Sequence, residues 1–310
     1  MEANAEHLRT LAAVVDHGSF ERAAEALRIT PSAVSQRIKA LEQRTGRVLV
    51  LRTKPAAVTE PGQVLLRLAR QVALLEDEAL ARLGADATGS IRAIPLVVNA
   101  DSLATWVLNA LAGVDGVTFE LFLDDQDHST ARLRDGTVVG AVTSDPVAVQ
   151  GCIVRPLGSM TYRAVASPGF VSRWLPSGPT REALAVAPVI VFDRKDALQD
   201  RYLAVRGIVA HPPRHQVPAS SEFVTAASLG LGWAMIPDQQ SAALIAEGRL
   251  VDIDPGRWID VPLFWQHWAV ESDSLSRVTD ALVRQAARSL DLSPTAPARA
   301  RPRRSRQLRR

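Results

Sequence analysis

Two helix-patterned segments joined by nothing longer than Arg28 to Thr30 constrain this chain more than any other feature. The second segment, ITPSAVSQRIKALEQRTG over residues 29–46, carries Val34, Ile38 and Leu41 at helical spacing, a stripe for burial. Thr30 is a suitable capping residue, Pro31 is tolerated at the first helical position because its missing N–H would have no partner there, and Gly46 is a C-terminal stop. Upstream, Ser19 is placed to cap a helix with Phe20, Ala23, Ala24 and Leu27 on its apolar face. Residues 6–17 predict a first helix buried through Leu8, Leu11 and Val15. This is a helix-turn-helix arrangement.

A core helix needs only one stripe, yet residues 31–45 carry a second one, polar, at Ser32, Ser35, Gln36 and Lys39. Small hydroxyls and an amide suit base edges in a major groove, and cations suit phosphates. A β-rich run, Val48–Leu51, a basic loop with Arg52 and Lys54, and Val58–Thr59 predict a two-stranded wing able to reach phosphates or a minor groove. The predicted DNA-facing set is Ser19, Thr30, Pro31, Ser32, Ser35, Gln36, Arg37, Lys39, Arg52 and Lys54.

Charge supports a polyanionic partner. Residues 1–58 carry nine Lys/Arg against six Asp/Glu, residues 293–310 carry seven Arg and no acid, and residues 59–292 are left with a balance of −7. Such a basic tail reads equally as a solvated extension. The single cysteine, Cys152, excludes an internal disulfide framework and fits a reducing cytoplasm. No signal peptide is legible in MEANAEHLRT, and no apolar run approaches the ~18 residues of a membrane span.

From Thr59 to Leu83 the pattern is helical, with Leu65, Leu68, Val72, Leu75 and Ala79 in the 3-4 spacing of a coiled-coil seam, which predicts a dimerisation helix. GADATGS, 84–90, is a hinge by composition. Residues 91–290 alternate strand and helix, beginning β-α-β-α-β, which favours parallel sheets flanked by helices in two α/β lobes with a ligand cleft between them. The domains expected are a winged helix-turn-helix over 1–58, linker and hinge over 59–89, an effector domain over 90–292, and a tail over 293–310. Within the effector domain, lobe 1 spans about 90–160 and 268–292 and lobe 2 about 161–267.

No phosphate loop, HExxH or GxSxG signature is present, so no enzyme is predicted, and neither cofactor nor metal. Ligand contacts are expected where strands end and helices begin. These are Asn99, Asp101 and Ser102, the last two readable also as helix caps; Asp124 and Asp125, followed by Asp127, for a cationic group; Thr143; Asp193; and Ser221 with Phe223.

GSFERAAEALRITPSAVSQRIKALEQRTGRVLVLRT, followed by VTEPGQVLLRLAR, resembles the winged helix-turn-helix and linker helix of LysR-type transcriptional regulators. TPSAVSQRIKALE, NADSLATW, DDQDH and GAVTSD are similar to the subfamily called ArgP or LysG. The resemblance implies a cytoplasmic, usually tetrameric regulator with a periplasmic-binding-protein-like effector domain. It implies lysine or arginine as effector, a basic amino-acid export gene as target, and RNA polymerase as partner. By position it assigns Pro31, Ser32, Ser35 and Gln36 to the major groove, Arg52 to the wing, and Ser102, Thr143 and Phe223 to the cleft. It leaves the arginine-rich tail unexplained, and that tail supports a competing expectation, a low-specificity nucleoid or replication-associated DNA binder.

Overall fold

The computed structural model describes residues 4–83, 92–123 and 126–291. The hinge stretch 84–90, Asp124, Asp125 and the tail fall outside them. The head is α1 (Ala5–Asp16), α2 (Phe20–Leu27) and α3 (Pro31–Thr45), then strands β1 (Val50–Leu51) and β2 (Ala57–Val58), antiparallel with Val50 opposite Val58. Its boundaries are set by local chemistry. Ser19 Oγ accepts from the Arg22 N–H and Thr30 Oγ1 from the Ala33 N–H, while Gly46 closes α3 at φ 62°. Val34, Ile38 and Leu41 are buried, as are Leu8 and Leu11; on α1 Val14 is buried in place of the expected Val15, which is only half-buried.

The linker helix α4 (Glu60–Arg82) departs from the expected seam. Leu65, with Leu66 and Ala69, is buried in the head's own core, against which Val72 packs partly, and Leu74 is buried in the effector domain's core. Leu68, Leu75 and Ala79 are exposed, together with Val64, Leu80 and Leu83. A helix serving two cores must be apolar on more than one face, so a seam read as one stripe mixes inward and outward residues.

The effector domain runs β3 (Arg92–Val98), α5 (Ala100–Ser102), a π-helical turn (Leu103–Val107), α6 (Leu108–Leu111), β4 (Val117–Leu123), α7 (Gln126–Asp135), β5 (Gly140–Thr143) and β6 (Cys152–Ala166). It continues with α8 (Pro168–Trp174), α9 (Arg181–Val186), β7 (Val189–Val191), α10 (Leu198–Val205), β8 (Arg214–Gln216), α11 (Ser220–Ser228) and β9 (Ala234–Pro237). It ends with α12 (Asp238–Ala246), β10 (Val251–Asp252), β11 (Ile259–Trp268) and α13 (Asp273–Ser289), which packs back on α6 and β6.

The alternation of strand and helix favours parallel sheets. Instead one seven-stranded mixed sheet, ordered β10-β6-β11-β5-β3-β4 with β9 also on β6, threads both lobes. Pairing is parallel for β3 with β4 and β5, and for β7 with β8 in a separate two-stranded sheet; β6, β9, β10 and β11 pair antiparallel. The segments near 153–157 and 161–166 read as two strands but are one strand bent at Gly158, whose φ of 125° bends the chain without ending its pairing. Beside it, β11 shifts register between Leu263 and Phe264, leaving Leu157 as the extra residue. The two crossing strands therefore bend together, between the lobes.

Candidate nucleic-acid interface and effector cleft

On α3, Ser32, Gln36 and Lys39 lie at i, i+4 and i+7 and are exposed, opposite the buried stripe. Pro31 and Thr30 are exposed at the helix start, and Ser35 is half-buried beside Gln36. The wing tip exposes Arg52 and Lys54, and the Arg52 guanidinium lies 4.9 Å from the centre of the Phe20 ring, which orients it. Three expected residues also bond within the head, Thr30 among them as the cap of α3. Arg37 lies on the flank of the buried stripe toward α1, where it pairs with Glu6 at 2.9 Å and does not join the outward cations. Ser19 is the cap of α2, its side-chain oxygen engaged with the Arg22 N–H.

The lobes enclose a cavity of about 830 Å³, enough for an amino acid. Asn99, Asp101, Thr143, Asp193 and Phe223 line it. Asn99 occupies the N-cap position of α5 without a side-chain cap bond, and its Oδ1 is buried without a hydrogen-bond partner. Neither Asp101 nor Ser102 caps the helix. Ser102 is buried behind the wall and absent from the lining, its Oγ unpartnered, because the helical rise from Asn99 turns it inward. Ser221 is exposed; its neighbour Ser220 is the buried residue that turns toward Asp101, a one-residue offset on the helix. Trp106, on the π-helical turn that follows α5, is buried in the core.

The structure adds residues that spacing does not single out: Tyr162, Lys195, Asp196 and Arg201 also line the cavity. Tyr162 lies on the crossing strand and donates to Asp101 Oδ2 at 2.7 Å. Burial first, then the Asp101 charge, hold its phenol protonated well above the ordinary tyrosine range. Asp196 accepts the N–H groups of Phe192 at 2.8 Å and Leu198 at 3.1 Å. Burial raises its pKa, those bonds oppose the rise, and the Asp101 charge adds to it. Three carboxylates, Asp101, Asp193 and Asp196, thus border the cavity with Lys195 and Arg201, a charge set suited to a zwitterion bearing an extra cation. The acidic turn in DRKD is a local signal that could flag Asp196; nothing local flags Tyr162.

The linker joins the two sites. Arg70 pairs with Asp16 of the head and reaches the Asp135 carbonyl and Thr137 Oγ1 of lobe 1 at 3.4 Å. Glu78 accepts from the Ser272 hydroxyl at 2.6 Å and from the Ser274 N–H at 3.2 Å, at the start of α13. Among the described residues, no helix is long and apolar enough to cross a membrane, and no group of acidic, histidine or cysteine side chains could hold a metal.

A winged helix-turn-helix coupled through one helix to a two-lobed cleft defines a ligand-regulated DNA-binding protein. The model for bacterial regulatory helix-turn-helix proteins of the lysR family matches residues 5–63, and that for the LysR substrate binding domain matches residues 89–290. The chain belongs to the LysR family of transcriptional regulators. It is 48% identical to the HTH-type transcriptional regulator LysG of Mycobacterium tuberculosis over 91% of this chain and 93% of that protein. It is 44% identical to the lysine export transcriptional regulatory protein LysG of Corynebacterium glutamicum, over 89% and 95%. Solved structures similar to this chain include two regulators. ArgP from M. tuberculosis has a TM-score of 0.88 at 45% identity, covering 94% of this chain and 99% of that one. Full-length LysG from C. glutamicum with bound effector arginine has a TM-score of 0.80 at 41% identity, covering 93% and 100%. These relatives are transcriptional regulators, which favours regulation over low-specificity nucleoid binding and over enzymatic activity.

Proposed function

We propose that this protein is a cytoplasmic, sequence-specific transcriptional regulator whose effector is lysine or arginine and whose target is a basic amino-acid export gene. The observation that carries the reading is the cavity bordered by Asp101, Asp193 and Asp196, in a chain 41% identical to a LysG that holds arginine. The α-carboxylate of an amino acid meets Lys195 or Arg201, and its cationic end meets the carboxylates. Thr143 and Phe223 add a hydroxyl and an apolar wall, and Asp124 and Asp125 remain candidates for the cationic end.

Pro31, Ser32, Ser35 and Gln36 read base edges, and Lys39, Arg52 and Lys54 contact phosphates or the minor groove. The exposed stripe of Leu68, Leu75 and Ala79 pairs with a second copy, so that two heads address two half-sites in a dimer or tetramer. RNA polymerase is the partner of the DNA-bound form. Effector binding regulates only to the extent that it favours one lobe arrangement over another.

Footprinting on the promoter beside the protein's own gene, with and without lysine or arginine, tests this. A protected region whose extent changes with effector is expected. No protection under any condition refutes the reading, and deleting residues 293–310 should leave the specific protection in place.

A further inference from the structure

Four side chains form one continuous line of hydrogen bonds that ties Asp101 of lobe 1 to α11, α12 and the crossing strand β6. Gln240 Nε2, on α12, donates to Ser220 Oγ at 3.0 Å. Ser220 Oγ, at the start of α11, donates to Asp101 Oδ1 at 2.7 Å. Tyr162 Oη, on β6 just past the bend at Gly158, donates to Asp101 Oδ2 at 2.7 Å. The direction is forced. A carboxylate only accepts, a serine hydroxyl has one proton to give, and the Gln240 amide fills the lone pair that remains. Ser220 and Tyr162 are buried, so the donors to the half-buried Asp101 carboxylate are screened from water.

Asp101 and Tyr162 line the cavity, whereas Ser220 and Gln240 stand outside the lining. Only its Asp101 and Tyr162 end therefore belongs to the surface an effector touches, and the Ser220–Gln240 end does not. It also works against a like-charge opposition, since Asp196 of lobe 2 borders the same cavity as Asp101 of lobe 1.

We propose that Asp101, Ser220 and Tyr162 are positioning residues that latch the lobes together before any effector arrives, and that an effector's cationic group joins the Asp101 carboxylate already held in that latch. This rests on the reading of the cleft as a cationic amino-acid site. Closure without ligand is supplied by the Asp101–Ser220 bond, and the effector cation adds to it by separating Asp101 from Asp196. An effector that binds the closed arrangement gains affinity from every interaction that populates it.

The test uses the full chain with nitroxide labels at the exposed Ala112 of lobe 1 and Glu182 of lobe 2, in a Cys152→Ala background. The interlobe distance is read by pulsed dipolar spectroscopy without ligand, and arginine affinity by calorimetry. Ser220→Ala should lengthen and broaden the ligand-free distance and raise the arginine Kd by about tenfold or more, the scale of a missing hydrogen bond to a charged group. Ser220→Thr keeps the hydroxyl and should restore both. An unchanged distance distribution together with unchanged Kd in Ser220→Ala overturns the latch. If the wild-type chain takes up neither arginine nor lysine while Ser220→Ala still lengthens the distance, the effector reading fails and the latch stands.

Discussion

Gly62→Ala tests how the head is fastened to the linker. Gly62 lies in the first turn of α4, and a Cβ there would overlap the Leu49 carbonyl oxygen and stand 3.0 Å from the carbonyl carbon and 3.2 Å from Val58 Cβ. Two effects oppose each other. Alanine favours a helix over glycine by up to about 1 kcal/mol, less in a first turn. Relieving the overlap, however, requires α4 to move away from the chain leading into β1, by roughly an ångström. That movement strains the Thr59 cap, whose Oγ1 accepts from the Gly62 N–H at 3.1 Å and donates to the Val48 carbonyl at 2.7 Å. Overpacking costs about 1–3 kcal/mol and a weakened cap about 0.5–2 kcal/mol. The steric side wins, for a net destabilisation of about 2–3 kcal/mol, which lowers the melting point of a domain the size of the head by roughly 10–20 °C. The assay separates the domains without labels. All six Trp and both Tyr lie at or beyond residue 106, so intrinsic fluorescence follows the effector domain alone. Helical circular dichroism should show an early transition absent from the fluorescence trace, with operator affinity disappearing over the same range. A variant melting at or above the wild-type temperature refutes the reasoning.

Exchanging Ser35 and Gln36 for Ala should leave the fold intact and cost about 1–3 kcal/mol of discrimination for each base that either side chain recognises, measured by competition between operator and unrelated DNA. If the double variant unfolds the head, the polar stripe is structural and the reading fails. Leu68→Asp with Leu75→Asp places charges on an exposed face and should reduce the oligomer in sedimentation without changing the circular dichroism; an unchanged oligomer rejects that face as the interface. Glu78 responds to pH. Burial pushes its carboxyl up, but donors from Ser272, Ser274 and Asp273 outweigh burial and hold it below the ordinary carboxylate value. A lowered folded pKa means that the linker–α13 junction is complete above the ordinary carboxylate range and weakens as pH falls through the folded value. The hydrogen-exchange protection factor in the first turn of α13, corrected for the intrinsic pH dependence of exchange, should fall across that window in the wild type and not in Glu78→Gln.

The head is legible in the sequence because its signals are local. Capping residues, a proline at the helix start, a short turn and a 3.6-residue period all act within a few residues of one another, so Val34, Ile38 and Leu41 separate from Ser32, Gln36 and Lys39 by spacing alone. Arg37 does not, because its angular position between the two faces is resolved only by α1 and Glu6, which it meets across the bundle.

The linker shows where periodicity stops informing. Leu65 and Leu68 are both apolar on one helix, but only the docking of the head buries the first and leaves the second exposed. The effector domain's alternation is legible element by element, yet its sheet is not. Pairing partners are chosen by contacts between residues far apart in the chain, and a positive-φ glycine lets one strand serve both lobes. In the cleft, the strand-end rule picks out Asn99, Asp101, Thr143, Asp193 and Phe223 as residues that line the cavity, because each lies at or near the end of a strand or the start of a helix. It cannot find Tyr162 in mid-strand, nor tell Ser220 from Ser221, since one step along a helix turns a side chain by about 100°. Local patterning and capping thus dictate a DNA-binding head, a helical linker and an α/β ligand domain before any packing is known. The free face of the linker and the polar side chains that meet across the cleft emerge only on folding, because both depend on where separately formed elements pack.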